Sequence, residues 1–178
     1  MKLIVLDRDG VINQDSADYI KSPEEWFPIP GSLQAIADLN QSGYRVVIAT
    51  NQSGLARGLF DIDALNAIHN KMQNELSRIG GHIDGIFFCP HGPKDRCHCR
   101  KPKPGLLHQA SHRFFSDTTS IHSIGDSLRD LQAADNFGIG HTLVLTGNGM
   151  KTRDEISNRK GIPIFEDLFR AVQDLTKI

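Results

Sequence analysis

Two rhythms of apolar residues alternate along the chain. Residues 3–6 are a short apolar run without polar alternation, the mark of a strand buried on both faces, as in a parallel sheet covered by helices. Similar strands are predicted over 44–50 (YRVVIAT), 83–89, 120–124 and 141–145, with a last short one over 163–165. Between them, apolar residues recur at helical spacing. Leu33, Ile36 and Leu39 follow Pro30-Gly31-Ser32 and stop at Gly43; Leu65, Ile68, Met72, Leu76 and Ile79 follow a capping Asp61 and stop at Gly80-Gly81. Further helices are predicted over 105–115, over 128–137 with Leu128, Leu131, Ala134 and Phe137 inward, and over 151–160. A final one over 166–176 turns Leu168, Phe169, Val172 and Leu175 inward. Only 13–30 breaks the alternation. It is polar and irregular, carries Tyr19, Trp26 and Phe27, and reads as a flap over a pocket mouth with its aromatics pinning it to the body.

Strands alternating with helices predict an α/β fold: a Rossmann-like, doubly wound, mostly parallel sheet with right-handed connections. No repeat, linker or low-complexity tract interrupts it, so one domain over 1–178 is expected.

Composition narrows the classes. The formal net charge is -1 and the basic residues are scattered, so no electrostatic footprint for nucleic acid or an anionic membrane is expected. The first residues hold too few apolar side chains for a signal peptide and no segment is long enough to span a bilayer, which points to a cytosolic protein. Its 3 cysteines all fall between positions 89 and 99, which argues against a secreted disulfide framework.

Candidate chemistry collects where strands end. Asp7 and Asp9 lie two apart in extended chain and so face one pocket at a strand's carboxyl end, where open parallel sheets bind ligands. Thr50 ends the second strand, Asp126 the fourth, and Lys101 sits in the loop after the third. The set offers a nucleophilic carboxylate, a second carboxyl able to trade a proton, a hydroxyl, an ammonium and a third carboxylate. Phosphoryl transfer needs that mixture, with a hard cation such as Mg²⁺ among the oxygens. Alternatives stay open: Asp126 or Asp130 could cap the following helix, and Lys101 could be a solvated loop lysine.

A second constellation is Cys89-Pro90-His91 and Cys97-His98-Cys99. Three thiolates and one imidazole make the closed four-ligand set of a structural Zn²⁺ site, stapling a loop that carries Arg100 and Lys101. Reduced thiols, or one disulfide with a cysteine left over, are the other readings, and His98 could stand in for His91.

LDRDGVIN, TNQSGLARG, CPH…CHCRKPKPG and GDSLRDLQAA together resemble the haloacid dehalogenase superfamily of phosphatases over nearly the whole chain. The resemblance implies a fold without a large cap domain and an aspartyl-phosphate mechanism. Asp7 is then the nucleophile and Asp9 the acid and base. Thr50 and Lys101 hold the transferring phosphoryl oxygens, and Mg²⁺ lies on the Asp7 carboxylate, the Asp9 carbonyl and Asp126. It implies Zn²⁺ on Cys89, His91, Cys97 and Cys99. Substrate contacts are implied at Thr50, Asn51, Gln52 and Ser53 and at Arg100; Asp15 to Tyr19 falls near an early loop that touches sugar hydroxyls. Two departures stand out. Val11 replaces a threonine common after the first glycine, and the spacing from His91 to Cys97 is like that in histidinol-phosphate phosphatases. The substrate implied is a small phosphorylated sugar, a heptose 1,7-bisphosphate losing its C7 phosphate on the way to activated heptose for lipopolysaccharide. Arg57 and Arg100 suit its second phosphate. Histidinol phosphate is the alternative, and a monomer without nucleic-acid or membrane partners is expected.

Overall fold

The computed structural model describes residues 2–177; Met1 and Ile178, the two ends of the expected domain, lie outside the described residues. Six strands form one sheet: β1 (Leu3–Leu6), β2 (Arg45–Asn51), β3 (Gly85–Cys89), β4 (Ile121–Gly125), β5 (Gly140–Val144) and β6 (Ile164–Phe165). Their order is β3-β2-β1-β4-β5-β6 and every pairing is parallel, with Leu6 opposite Ile48 on one side and Ile124 on the other. The connecting helices are α1 (Ser32–Gln41), α2 (Ile62–Ser77), α3 (Gly105–Phe114), α4 (Leu128–Phe137), α5 (Gly149–Glu155) and α6 (Leu168–Thr176).

The pleat sorts β1 between two layers. Ile4 and Leu6 pack with Ile36 and Leu39 of α1, Ile68 and Met72 of α2, and Val172 of α6. Leu3 and Val5 face the other way, onto Leu106 and Ala110 of α3 and Ala133 and Ala134 of α4. Burial on both faces makes β1 wholly apolar along its length, and the polar side chains that can meet a ligand stand at the β1, β2 and β4 carboxyl ends. Because the order reverses between β1 and β4, the connections from those strands diverge and leave a crevice there.

Several element limits differ from the sequence pattern. Helix α2 is capped by Asp61, whose carboxylate accepts from the Ala64 amide at 2.8 Å, but it ends at Ser77. Ile79 therefore leaves the apolar stripe and is exposed, because the chain turns at Gly80 with φ +79°. The helix expected over 151–160 is Gly149–Glu155: Ile156 is its last buried anchor, and the polar residues after it have nothing to pack. In the flap, Trp26 is fully buried whereas its neighbour Phe27 is exposed, so Trp26 does the pinning. Among the described residues no helix is long and apolar enough to cross a membrane.

Candidate active site

A cavity of about 330 Å³ opens over the ends of β1, β2 and β4. Its floor holds Asp7, Asp9, Thr50, Lys101 and Asp126; Asp15, Ser16, Ala17, Tyr19 and Ile20 form one wall, and Arg57, Arg100 and Arg129 line the mouth. Of the 13–30 segment expected to lie over the pocket mouth, only this short part reaches the cavity, as a side wall.

Charge organises the floor. Lys101 is buried, and its ammonium donates to Asp130 Oδ1 at 2.5 Å and the Ala49 carbonyl at 2.8 Å, with Asp7 Oδ2 at 3.1 Å. Burial works against its charge, but Asp130 and Asp7 more than offset this and raise its pKa. Asp7, Asp126 and Asp130 bring carboxylate oxygens within 4.8 Å of one another, and one lysine cannot neutralise three carboxylates. The ion pair goes to Asp130: burial works to raise its pKa, yet Lys101 and the Ser127 hydrogen bonds bring it below the usual range. Asp7 is left with its pKa well above the usual range, through burial and then the Asp130 charge, even though Lys101 pulls the other way. Burial and Asp130 also push Asp126 up to about 7. A cation shared by Asp7 and Asp126 would relieve both.

The donor set fits Mg²⁺: hard carboxylate oxygens, plus an Asp9 carbonyl that takes no hydrogen bond among the described residues. Asp126 is held for the task. The Asn148 amide N–H donates to its Oδ2 at 2.7 Å, and a Cβ on Gly10, where φ is +82°, would come within 2.2 Å of that oxygen. Gly10 therefore meets two demands, a left-handed turn and a close approach.

Asp9 has a different environment. The Arg8 guanidinium, Asn13 Nδ2 and Gln52 Nε2 all donate to its carboxylate at 2.9 to 3.0 Å. Burial works to raise its pKa, but the Arg8 charge and these hydrogen bonds hold it low. Gln52 Nε2 also donates to Thr50 Oγ1 at 2.9 Å. Asn51 exchanges two hydrogen bonds with the Lys101 backbone, at 3.0 and 3.1 Å, so its amide fastens the lysine loop to β2. Ser53 lines the cavity.

In the loop after β3, Cys89 Sγ lies 3.2 Å from Cys99 Sγ, 3.8 Å from Cys97 Sγ and 3.6 Å from His91 Nδ1, which is 3.3 Å from Cys99 Sγ. All three thiols are free and His98 is exposed outside the cluster. A tetrahedral metal with bonds of about 2.0–2.3 Å spaces its ligands about 3.3–3.8 Å apart. The four side chains therefore have the chemistry and spacing for one such ion.

Sequence reasoning missed Arg8, Asn13, Arg129 and Asn148, and left Asp130 open. Asp130 turns out to do two things: it completes a capping box with Ser127 and pairs with Lys101.

A family model described as HAD-hydrolase-like matches residues 98–171, and one described as polynucleotide kinase 3 phosphatase matches residues 2–134. The D-glycero-beta-D-manno-heptose-1,7-bisphosphate 7-phosphatase of Bordetella bronchiseptica is 55% identical over 175 residues, covering 98% of each chain. The chain belongs to the heptose 1,7-bisphosphate 7-phosphatase family of the haloacid dehalogenase superfamily. The Neisseria meningitidis member of this family is 47% identical, over 99% of this chain and 94% of its own. A crystal structure of the D,D-heptose 1.7-bisphosphate phosphatase from B. bronchiseptica, complexed with magnesium and phosphate, superposes with a TM-score of 0.96 at 54% identity and covers 99% of both chains. As a member of this family the chain is a hydrolase of phosphoric monoesters, on the α/β haloacid dehalogenase fold that its sequence predicted.

Proposed function

We propose that this chain removes the C7 phosphate from the β anomer of D-glycero-D-manno-heptose 1,7-bisphosphate, within the synthesis of activated heptose for lipopolysaccharide. One observation carries the substrate: the cavity has two ends that receive anions. Lys101 stands at the floor, and the guanidinium side chains Arg57, Arg100 and Arg129 stand at the mouth, against one flap carboxylate, Asp15. Arg100 has its pKa lowered by burial and then by the charge of Arg129, a sign of cations gathered for an anion. Histidinol phosphate would bring an ammonium to that mouth. The family relatives, named for the β anomer, support the same reading.

In the reaction, an Asp7 carboxylate oxygen attacks phosphorus and the bond from phosphorus to the sugar oxygen breaks. That oxygen leaves with the electron pair and takes a proton from Asp9, whose low resting pKa is raised by the negative charge of the phosphoryl group bound beside it. Asp9 then takes a proton from water, whose oxygen attacks the aspartyl-phosphate, and the bond from phosphorus to Asp7 breaks to release inorganic phosphate. Lys101 and Thr50 hold the phosphoryl oxygens. Asp7, the Asp9 carbonyl and Asp126 would hold Mg²⁺, which supplies charge neutralisation on the phosphoryl group when bound. Cys89, His91, Cys97 and Cys99 would hold a structural Zn²⁺, which would staple the loop that carries Arg100 and Lys101. Asn51, Gln52 and Ser53 shape the sugar site, with two amides turned to Lys101 and Asp9. The protein works as one domain, a monomer in the cytoplasm, without nucleic-acid or membrane partners.

The test is magnesium-dependent phosphate release from both heptose bisphosphate anomers, heptose 7-phosphate, histidinol phosphate and a 3′-phosphorylated oligonucleotide. The β bisphosphate is expected to be turned over best. Arg100→Ala should cost about ten- to a hundred-fold in kcat/KM on the bisphosphate beyond its cost on the 7-monophosphate, since a charge-assisted hydrogen bond contributes about 1.5–3 kcal/mol. Equal losses on both, or faster turnover of histidinol phosphate or the oligonucleotide, would overturn the assignment.

A further inference from the structure

Arg8 takes no part in the proposed steps, yet it is the only residue between the two reactive aspartates and its side chain is wholly buried. Its Nε and Nη2 fork onto Asp9 Oδ1 at 3.0 and 2.9 Å, and Nη2 reaches Oδ2 at 3.0 Å. The remaining nitrogen, Nη1, lies 3.2 Å from His69 Nε2 on α2, and Gln52 Oε1 is 3.4 Å from Nη2. His69 is itself buried. Burial and then the Arg8 charge lower its pKa to about 4, so near neutral pH the imidazole is uncharged and Nε2 can accept from Nη1. A buried guanidinium is costly unless its donors are met, and here each group it meets lies on a different segment. The planar fork also does what an ammonium cannot: it fixes the plane of the carboxylate it grips. The Asp9 side chain, 22% exposed, is also held by single hydrogen bonds from Asn13 and Gln52, but only the fork grips both of its oxygens from one rigid plane.

We infer that Arg8, braced by His69, is a positioning residue that holds the Asp9 carboxyl in the orientation from which it protonates the leaving oxygen. This rests on Asp9 being the acid of the proposed reaction. A sugar alkoxide is a poor leaving group and needs that proton as the bond to phosphorus breaks. A p-nitrophenolate leaves readily as the anion and does not. Misplacing Asp9 must therefore slow the sugar substrate far more than the aryl one, whereas general damage to the fold slows both alike.

The experiment compares steady-state turnover of the heptose bisphosphate and p-nitrophenyl phosphate by wild type, Arg8→Met, Arg8→Lys, His69→Leu and His69→Gln, with circular dichroism as a control. Arg8→Met should lower kcat on the sugar by roughly a hundred-fold, at least about tenfold more than on the aryl phosphate, with KM changed by less than about threefold. Arg8→Lys, which keeps the charge and loses the fork, should fall between. His69→Leu should show the same bias at about tenfold, and His69→Gln, whose amide oxygen can accept from Nη1, should largely remove it. Equal losses on both substrates, or none, would overturn the inference. If the Arg8 variants fail to fold, the two His69 variants decide it by the same ratio. A wild type inactive on both substrates is a different outcome: it overturns the proposed function, and this inference with it.

Discussion

At the carboxyl ends of β1, β2 and β4 the reactive side chains project from hydrogen-bonded strands into a crevice the sheet order creates. The loop from 90 to 104, by contrast, has neither helix nor strand and runs mostly along the surface. The first region is held by backbone pairing and by charges that answer one another; the second gathers three thiols and an imidazole within 4.8 Å of one another. Lys101 belongs to both. The loop delivers it, but Asn51 fastens its backbone to β2 and Asp130 captures its ammonium. The loop therefore need only bring Lys101 near, because the strand ends finish the placement.

The sharpest way to test the strand-end region is Asp7→Asn. Turnover should fall by at least about 10⁴-fold, since an amide is neither nucleophile nor good metal ligand. The melting temperature should hold or rise, because one repelling carboxylate is gone. Labelled phosphate recovered by rapid quench on a serine or histidine would break the mechanism. Next, Asp130→Asn should destabilise the protein by about 3–5 kcal/mol, because it leaves the Lys101 charge buried with a weaker partner. Ser127→Ala removes the cap hydroxyl with its hydrogen bond to Asp130 and leaves the ion pair in place, at about 1 kcal/mol. Denaturant unfolding of the two separates ion pair from cap, and equal midpoints would mean that Asp130 acts only as a cap.

The loop should be gentler to break. The protein should carry one zinc per chain under reducing conditions. Cys97→Ser should lower kcat/KM by about ten- to a hundred-fold while helix content persists, because Asn51 and Asp130 still catch Lys101. Full activity and an unchanged melting temperature in a metal-free preparation would remove the zinc reading.

The smallest effect concerns His69. Its folded pKa of about 4 lies below the ordinary value of 6.5, so the unfolded chain takes up the proton first. Its share of stability is complete above pH 6.5 and drains away as pH falls toward 4, reaching about 1.4 kcal/mol by pH 5.5. His69→Gln should flatten that slope relative to wild type; identical slopes would show that the ring titrates normally. Any metal lost from the loop in acid is common to both proteins and cancels in the comparison.

Much of this was legible in the chain. The β1 run and the two-residue spacing of Asp7 and Asp9 place two carboxylates at a strand end because side-chain direction in a strand is local geometry. Gly43 and Gly138 end helices in left-handed backbone, as glycines there should. What stayed hidden depends on distant partners. Nothing local tells that Arg8 turns inward to His69 on α2, or that Asn148 joins Asp126 to Asp15 of the flap, 133 positions away. Asp130 reads as a cap because the cap is local; its ion pair with Lys101 spans 29 positions. Ile79 and Phe27 look like core by type, and only the turn at Gly80 and the burial of Trp26 beside Phe27 decide otherwise.

Lys101 has three protons and three acceptors: Asp130, Ala49 and Asp7. A phosphoryl oxygen reaching it must exchange for one of these rather than add to them, and Asp7 is the most distant. In the proposed reaction Asp7 gives up its negative charge as its oxygen bonds to phosphorus, so its hold on the ammonium weakens as charge grows on the phosphoryl oxygens. A resting substrate gains little from Lys101; a substrate in mid-transfer inherits the whole interaction. The residue thus stabilises the substrate in mid-transfer more than at rest, and removing it should lower kcat far more than it weakens binding of intact substrate.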